Sequence, residues 1–220
     1  MTSPAFSRYI GIDYSGAKTP VASLKGLRVY QASRETLPVP LRYFEVHHLA
    51  PDWPSFLDDF QQHWPTDGEN MYVDFVRDGL HGDGASRSGS ARWRRIAEVR
   101  AGAKSVFHFD VPGSVAKSTH AGLPWLRYLR QQLGERIHFW PFDGWEIPFG
   151  KSAIAEVYPS LWSKGFPREG RSPDQQDAYA AAAWLRQTDM DGRLSQYLRP
   201  AMLPGEYGEA QLEGWILGVM

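Results

Sequence analysis

The stretch Tyr9-Ile10-Gly11-Ile12-Asp13-Tyr14-Ser15-Gly16 decides how the chain is read. A short apolar run ends in an acid, and small turn-forming residues follow at once. The pattern predicts a strand whose last residue is a rigidly held carboxylate. Taken alone, Asp13 reads first as an acid that bonds its own turn backbone. A second strand is expected over Leu27 to Gln31, with Lys25-Gly26 as its turn. Leu37-Pro38-Val39-Pro40 cannot lie inside a paired central strand, because each proline lacks the N–H a ladder needs.

Working outward, residues 41–104 read as an irregular, aromatic insertion. Within it Ser55 to His63 suits a short helix, Met71 to Val76 fits strand or helix, and residues 79–90 (GLHGDGASRSGS) suit a flexible loop. Ala91 to Arg100 is basic and helix-compatible, and Ser105 to Val111 alternates as a strand does. Gly122 to Leu133 predicts a helix with Pro124 in its first turn and Gly134 beyond its end. Arg136 to Trp140 and Ala153 to Tyr158 predict strands. Pro173 to Gln187 predicts a helix that Ser172 caps and Pro173 opens.

Composition bounds the chemistry. The 220 residues suit one domain, 1–220, and nine Trp, ten Tyr and eleven Phe argue for a packed core over disorder. The net charge of -1 gives no global pull toward nucleic acid or an anionic membrane, so any such contact needs a local patch. There is no cysteine, which removes disulfides, thiolate metal sites and cysteine nucleophiles. The opening MTSPAFSRYIGID lacks a basic start followed by an apolar run, and no run approaches a membrane span. A cytoplasmic protein without a membrane partner is expected.

Two further acidic pieces join the first. In Ala155-Glu156-Val157-Tyr158-Pro159 a glutamate sits inside an apolar strand, where a buried carboxylate needs a cation, a metal or a donor, unless it faces outward to a surface arginine. In Asp174-Gln175-Gln176-Asp177-Ala178 two acids three apart share a helix flank, where the helix dipole alone accounts for Asp174. Ala178, Ala181, Ala182 and Trp184 suggest that this flank packs closely on something.

The ordered set Gly11-Ile12-Asp13, Glu156-Val157-Tyr158-Pro159 and Asp174-x-x-Asp177-Ala178 resembles a bacterial domain-of-unknown-function family of predicted RNase H-like nucleases. The resemblance implies an α/β fold with a ribonuclease H-like mixed sheet flanked by helices. It also implies divalent-metal-dependent hydrolysis of nucleic-acid phosphodiesters. Carboxylate oxygens suit Mg²⁺ or Mn²⁺, and two such ions about 4 Å apart activate water and stabilise the leaving oxygen. The resemblance makes Asp13 the bridging ligand and Glu156 and Asp177 further ligands, with Asp174 as a ligand or a neighbour of one.

The chain departs from this family in one place. After the hairpin ends near Ala32, Val39-Pro40-Leu41-Arg42-Tyr43-Phe44 resembles the exit from a strand that the intervening residues are too few to build. One helix and one strand are therefore expected to be missing. Their loss leaves an open edge that invites dimerisation and removes one ligand, for which Asp74 and Asp110 are the available substitutes. Arg87, Arg92, Arg94, Arg95, Arg100 and Lys104, with Trp93 among them, form either a phosphate-contacting segment or a solvated helix face. Arg92, Arg94 and Arg95 are its nucleic-acid-binding candidates.

Two other functions stay open. One is a degenerate, noncatalytic binding or interaction module of the same fold. The other is a small-molecule kinase of the actin-like ATPase type, whose fold also opens on a G-I-D strand. Gly113-Ser-Val-Ala-Lys117-Ser118-Thr119 fails P-loop spacing, the seven histidines lack zinc spacing, and Ser15 lacks a nucleophile elbow.

Overall fold

The computed structural model describes residues 8–13, 28–33, 39–40, 47–87, 89–112 and 114–220. Two sheets form. In the first, β1 (Arg8–Asp13) pairs antiparallel with β2 (Arg28–Ser33), which pairs with the two-residue edge strand β3 (Val39–Pro40). Pro40 thus takes the edge place that its missing N–H requires. The register sets Asp13 opposite Arg28.

The second sheet is parallel, in the order β4 (Ile137–Trp140), β5 (Ser152–Val157), β6 (Ile216–Leu217). Parallel strands require crossovers that cover the sheet, and every residue of β4 is buried, as are both residues of β6. Among the described residues no ladder joins the two sheets. The architecture is mixed α/β with a small three-stranded parallel sheet.

Helix α1 (Trp53–His63) starts where Asp52 accepts the Ser55 N–H at 2.8 Å, and Pro54 occupies its first turn. The ambiguous stretch after Met71 folds as a short helix, α2 (Val73–Arg77). The basic segment is helical only from α3 (Ile96–Ala101), because Arg95 is extended and serves as its N-cap. The stretch 41–104 therefore contributes three α-helices and a 3-10 turn at Gly84–Arg87 in its described part.

Helix α4 (Ala116–Leu133) begins six residues before the predicted Gly122, which places Pro124 in its interior instead of its first turn. A proline there leaves the carbonyl of residue 120 without its helical donor. The Thr66 hydroxyl takes that place, within 3.2 Å of the His120 carbonyl and 3.3 Å of the Ala121 carbonyl.

The strand expected over Ser105 to Val111 does not form. Ser105 Oγ donates to the Trp93 carbonyl at 2.6 Å and accepts the Phe107 N–H at 3.1 Å, and Asp110 is left-handed at φ 59°. These local bonds compete with a ladder and end the extended run.

Helix α5 (Pro173–Met190) follows its caps: Ser172 Oγ accepts the Gln175 N–H at 3.3 Å while Gln175 Oε1 accepts the Ser172 N–H at 2.9 Å. Its buried stripe is Gln176, Ala180, Trp184 and Thr188. Ala178 and Ala182 face solvent, contrary to the expectation of close packing on the Asp177 flank. Gln176 and Thr188 can lie inside because each satisfies its polar atoms locally, on the Phe166 and Trp184 carbonyls. Two short helices, α6 (Leu194–Leu198) and α7 (Pro204–Glu213), lead to β6.

The core has two centres. One gathers Ala97, Trp140, Trp184, Ala210, Trp215, Ile216, Leu217 and Val219 around the parallel sheet. The other joins Phe60, Trp64 and Val76. There His120 of α4 is enclosed by Phe60, Trp64, Phe107 and Phe109, with ring centroids 4.7 to 6.0 Å away. No helix among the described residues is long and apolar enough to cross a membrane.

Candidate functional site

Glu156 lies near the end of β5, next to Ile216 of β6 in register. Both its carboxylate oxygens are taken by one side chain. Arg95 Nη1 donates to Oε2 at 2.6 Å, and Nη2 donates to Oε1 at 2.8 Å. This is the fork-to-fork geometry that makes arginine–carboxylate pairs strong.

The third face of the guanidinium is held as well. Arg95 Nε donates to Glu98 Oε1 at 3.0 Å, and Glu98 is 1% exposed. Glu98 is saturated, since it also accepts the N–H groups of Arg95 at 3.0 Å and Val106 at 3.1 Å. Burial works against the charge on Arg95, but the hydrogen bonds and negative charge of Glu156, with that of Glu98, outweigh it. The guanidinium is held above its ordinary value and stays charged. An arginine at the N-cap of α3 therefore bridges a helix to the parallel sheet, with one buried and one half-exposed glutamate as anchors.

The other predicted ligands are placed differently. Asp13 is the last residue of β1, at a register position opposite Arg28. The direction of its carboxylate lies outside the described residues. Asp174 and Asp177 are in the first two turns of α5 and are exposed. Of the two proposed substitutes, Asp74 pairs with Lys117 at 2.9 Å and Arg77 at 3.4 Å, and Asp110 pairs with Arg77 at 2.7 Å. Arg77 and Lys117 draw Asp110 below the usual carboxylate range. Among the described residues no group of three or more histidines, aspartates or glutamates is arranged to hold a metal ion. Of the expected ligands, Glu156 has both oxygens on a guanidinium, and Asp174 and Asp177 are exposed.

The basic segment is largely consumed within the fold. Arg94 donates to the Glu98 and Ala103 carbonyls, Arg95 joins Glu98 and Glu156, and Arg100 pairs with Glu206 at 2.9 Å. Arg87 forks onto Asp59. Arg92 is exposed and has no ion pair among the described residues. The aromatic run from His138 to Trp145 supplies core: Phe139 and Trp140 are buried, and Trp145 meets Trp140 edge-on at 5.4 Å.

What sequence reasoning did not assign is Arg95 as the partner of Glu156 and Glu98 as the buried anchor of Arg95. The one local signal is the i, i+3 spacing of Arg95 and Glu98. The decisive contact spans 61 residues. No protein-family model, curated protein or solved structure matches the chain.

Proposed function

We propose that the chain is a noncatalytic domain of RNase H-like type that works as a binding or interaction module. The observation that supports this reading is the occupation of both Glu156 oxygens by Arg95. A divalent ion at Glu156 would have to displace a guanidinium that buried Glu98 also holds. Breaking the pair at half-exposed Glu156 costs about 1 kcal/mol on top of the ion's own dehydration. We place the protein in the cytoplasm as part of this proposal, in line with the sequence reading.

The ordered acids Asp13, Glu156 and Asp177 favour a second reading, the two-metal nuclease. That reading requires Arg95 to withdraw and nucleic acid to bind beside the exposed Arg92.

Incubation with single- and double-stranded DNA and RNA in millimolar Mg²⁺ or Mn²⁺ separates the two. No cleavage is expected. Metal-dependent cleavage that both Asp13→Asn and Glu156→Gln abolish would overturn the noncatalytic reading in favour of the nuclease.

A further inference from the structure

The fold spends the cations of the basic segment unevenly. Arg95 and Arg100 are neutralised by glutamates. Arg94 instead donates to two carbonyls, that of Glu98 at 2.8 Å and that of Ala103. Lys104 donates to the Pro112 carbonyl. A carbonyl fixes a cationic head in place without cancelling its charge. Arg92, Arg94 and Lys104 are all exposed, and none of them forms an ion pair among the described residues. Glu98, the acid of this segment, is buried and already saturated.

Local bonds gather these cations around apolar surface. Arg92 and Arg94 flank Trp93 in the chain, and the bond to the Ala103 carbonyl brings the Arg94 guanidinium beside the residue that precedes Lys104. The Trp93 N–H donates to the Ser90 carbonyl at 2.8 Å and the Arg92 N–H to Ser90 Oγ at 3.3 Å, which fixes the backbone that carries both side chains. Trp93 stands edge-on to Phe107, with ring centroids 6.0 Å apart, and stays 38% exposed. Val99 follows the Glu98 carbonyl that Arg94 holds, and it is 59% exposed.

We propose that Arg92, Trp93, Arg94, Val99 and Lys104 form the docking surface of the interaction module, and that its partner is an acidic peptide segment with apolar residues between its carboxylates. This partner belongs to the noncatalytic reading above and rests on it. The free guanidinium of Arg92 can fork onto a carboxylate. Val99 favours a peptide over a nucleic acid, because a nucleobase stacks on a ring and an aliphatic side chain offers none. The charge count points the same way. A polynucleotide carries a charge at every nucleotide, more than Arg92, Arg94 and Lys104 can meet, and a net charge of -1 gives no wider field to hold the rest. A short peptide brings only as many carboxylates as the patch can match.

Fluorescence anisotropy tests this, with a fluorescein-labelled peptide of glutamates interrupted by leucines titrated with the full chain in a metal chelator. Without metal no nuclease step enters, so this proposal and the noncatalytic reading can fail separately. Saturable binding is expected. Arg92→Glu and Lys104→Glu should each weaken it by about fivefold, and Trp93→Ala by about tenfold. Arg136→Glu reverses an exposed cation bonded to the Gln132 and Leu133 carbonyls and should bind as the wild type does. Urea midpoints check that each variant is folded; Arg92→Glu removes no side-chain contact among the described residues and keeps the test open if Trp93→Ala unfolds. Absence of saturable binding, equal affinity when serines replace the leucines, tighter binding of single-stranded DNA or RNA of the same length, or unchanged affinity in Arg92→Glu would overturn the proposal.

Discussion

The two core centres bury a basic side chain by opposite means. Beside the parallel sheet, Arg95 stays charged because Glu98 and Glu156 surround it with acceptors. In the α1–α4 centre, His120 is 1% exposed and stays neutral, because four aromatic rings surround it and, among the described residues, only the Ala116 carbonyl reaches Nδ1, at 2.8 Å. Burial pushes His120 down to about 4, and the backbone hydrogen bond offsets only part of that shift. The choice between charge and neutrality is made by the acceptors within reach, and burial alone does not decide it.

The sharpest way to break this contrast is Arg95→Met. It leaves Glu98 buried without its cation, and equilibrium urea unfolding should show a loss of about 3–5 kcal/mol. Glu156→Gln should cost only about 1 kcal/mol, because Glu156 is half-exposed while Glu98 keeps the guanidinium. Equal costs for the two variants would mean that Glu98 is not the dominant anchor.

The His120 centre predicts a pH dependence. Its folded value, about 4, lies below the ordinary imidazole value of about 6.5. As pH falls, the unfolded chain therefore takes the proton first. Stability should decline from about pH 6.5 down to about pH 4, by about 3 kcal/mol in total. His120→Leu should flatten that part of the curve, measured by urea midpoints at successive pH values.

Smaller effects belong outside both centres. Ser172→Ala removes the cap of α5 and should cost about 1 kcal/mol. Asp174→Asn and Asp177→Asn should each shift stability by less than about 0.5 kcal/mol, because both side chains are exposed. A larger loss at Asp177 would indicate a buried charge partner and revive the ligand assignment.

The parts of this molecule legible in the sequence are those with local causes. Ser172, Pro173 and Gln175 specify the start of α5 through bonds three residues apart. The β4 and β5 boundaries fall within a residue of the apolar runs that predict them, and Pro40 marks an edge. Where the reading failed, a distant residue intervened. Pro124 looks like a helix start until Thr66 is seen to satisfy the carbonyl it frees. Phe107 and Phe109 alternate as in a strand, yet they enclose His120 from a turn. The candidate site failed in the same way: a carboxylate in an apolar strand signals a need for a cation, but not which one. The cation here is Arg95, which lies in a basic run that equally suggests phosphate binding.

The thermal midpoint of the wild-type protein with and without millimolar Mn²⁺ shows whether Arg95 keeps metal from Glu156. Any ion that binds the folded state must raise that midpoint by mass action. If Arg95 occupies Glu156, the midpoint should not move. A Mn²⁺-dependent rise that Glu156→Gln eliminates would show that metal reaches this carboxylate and that Arg95 does not hold it.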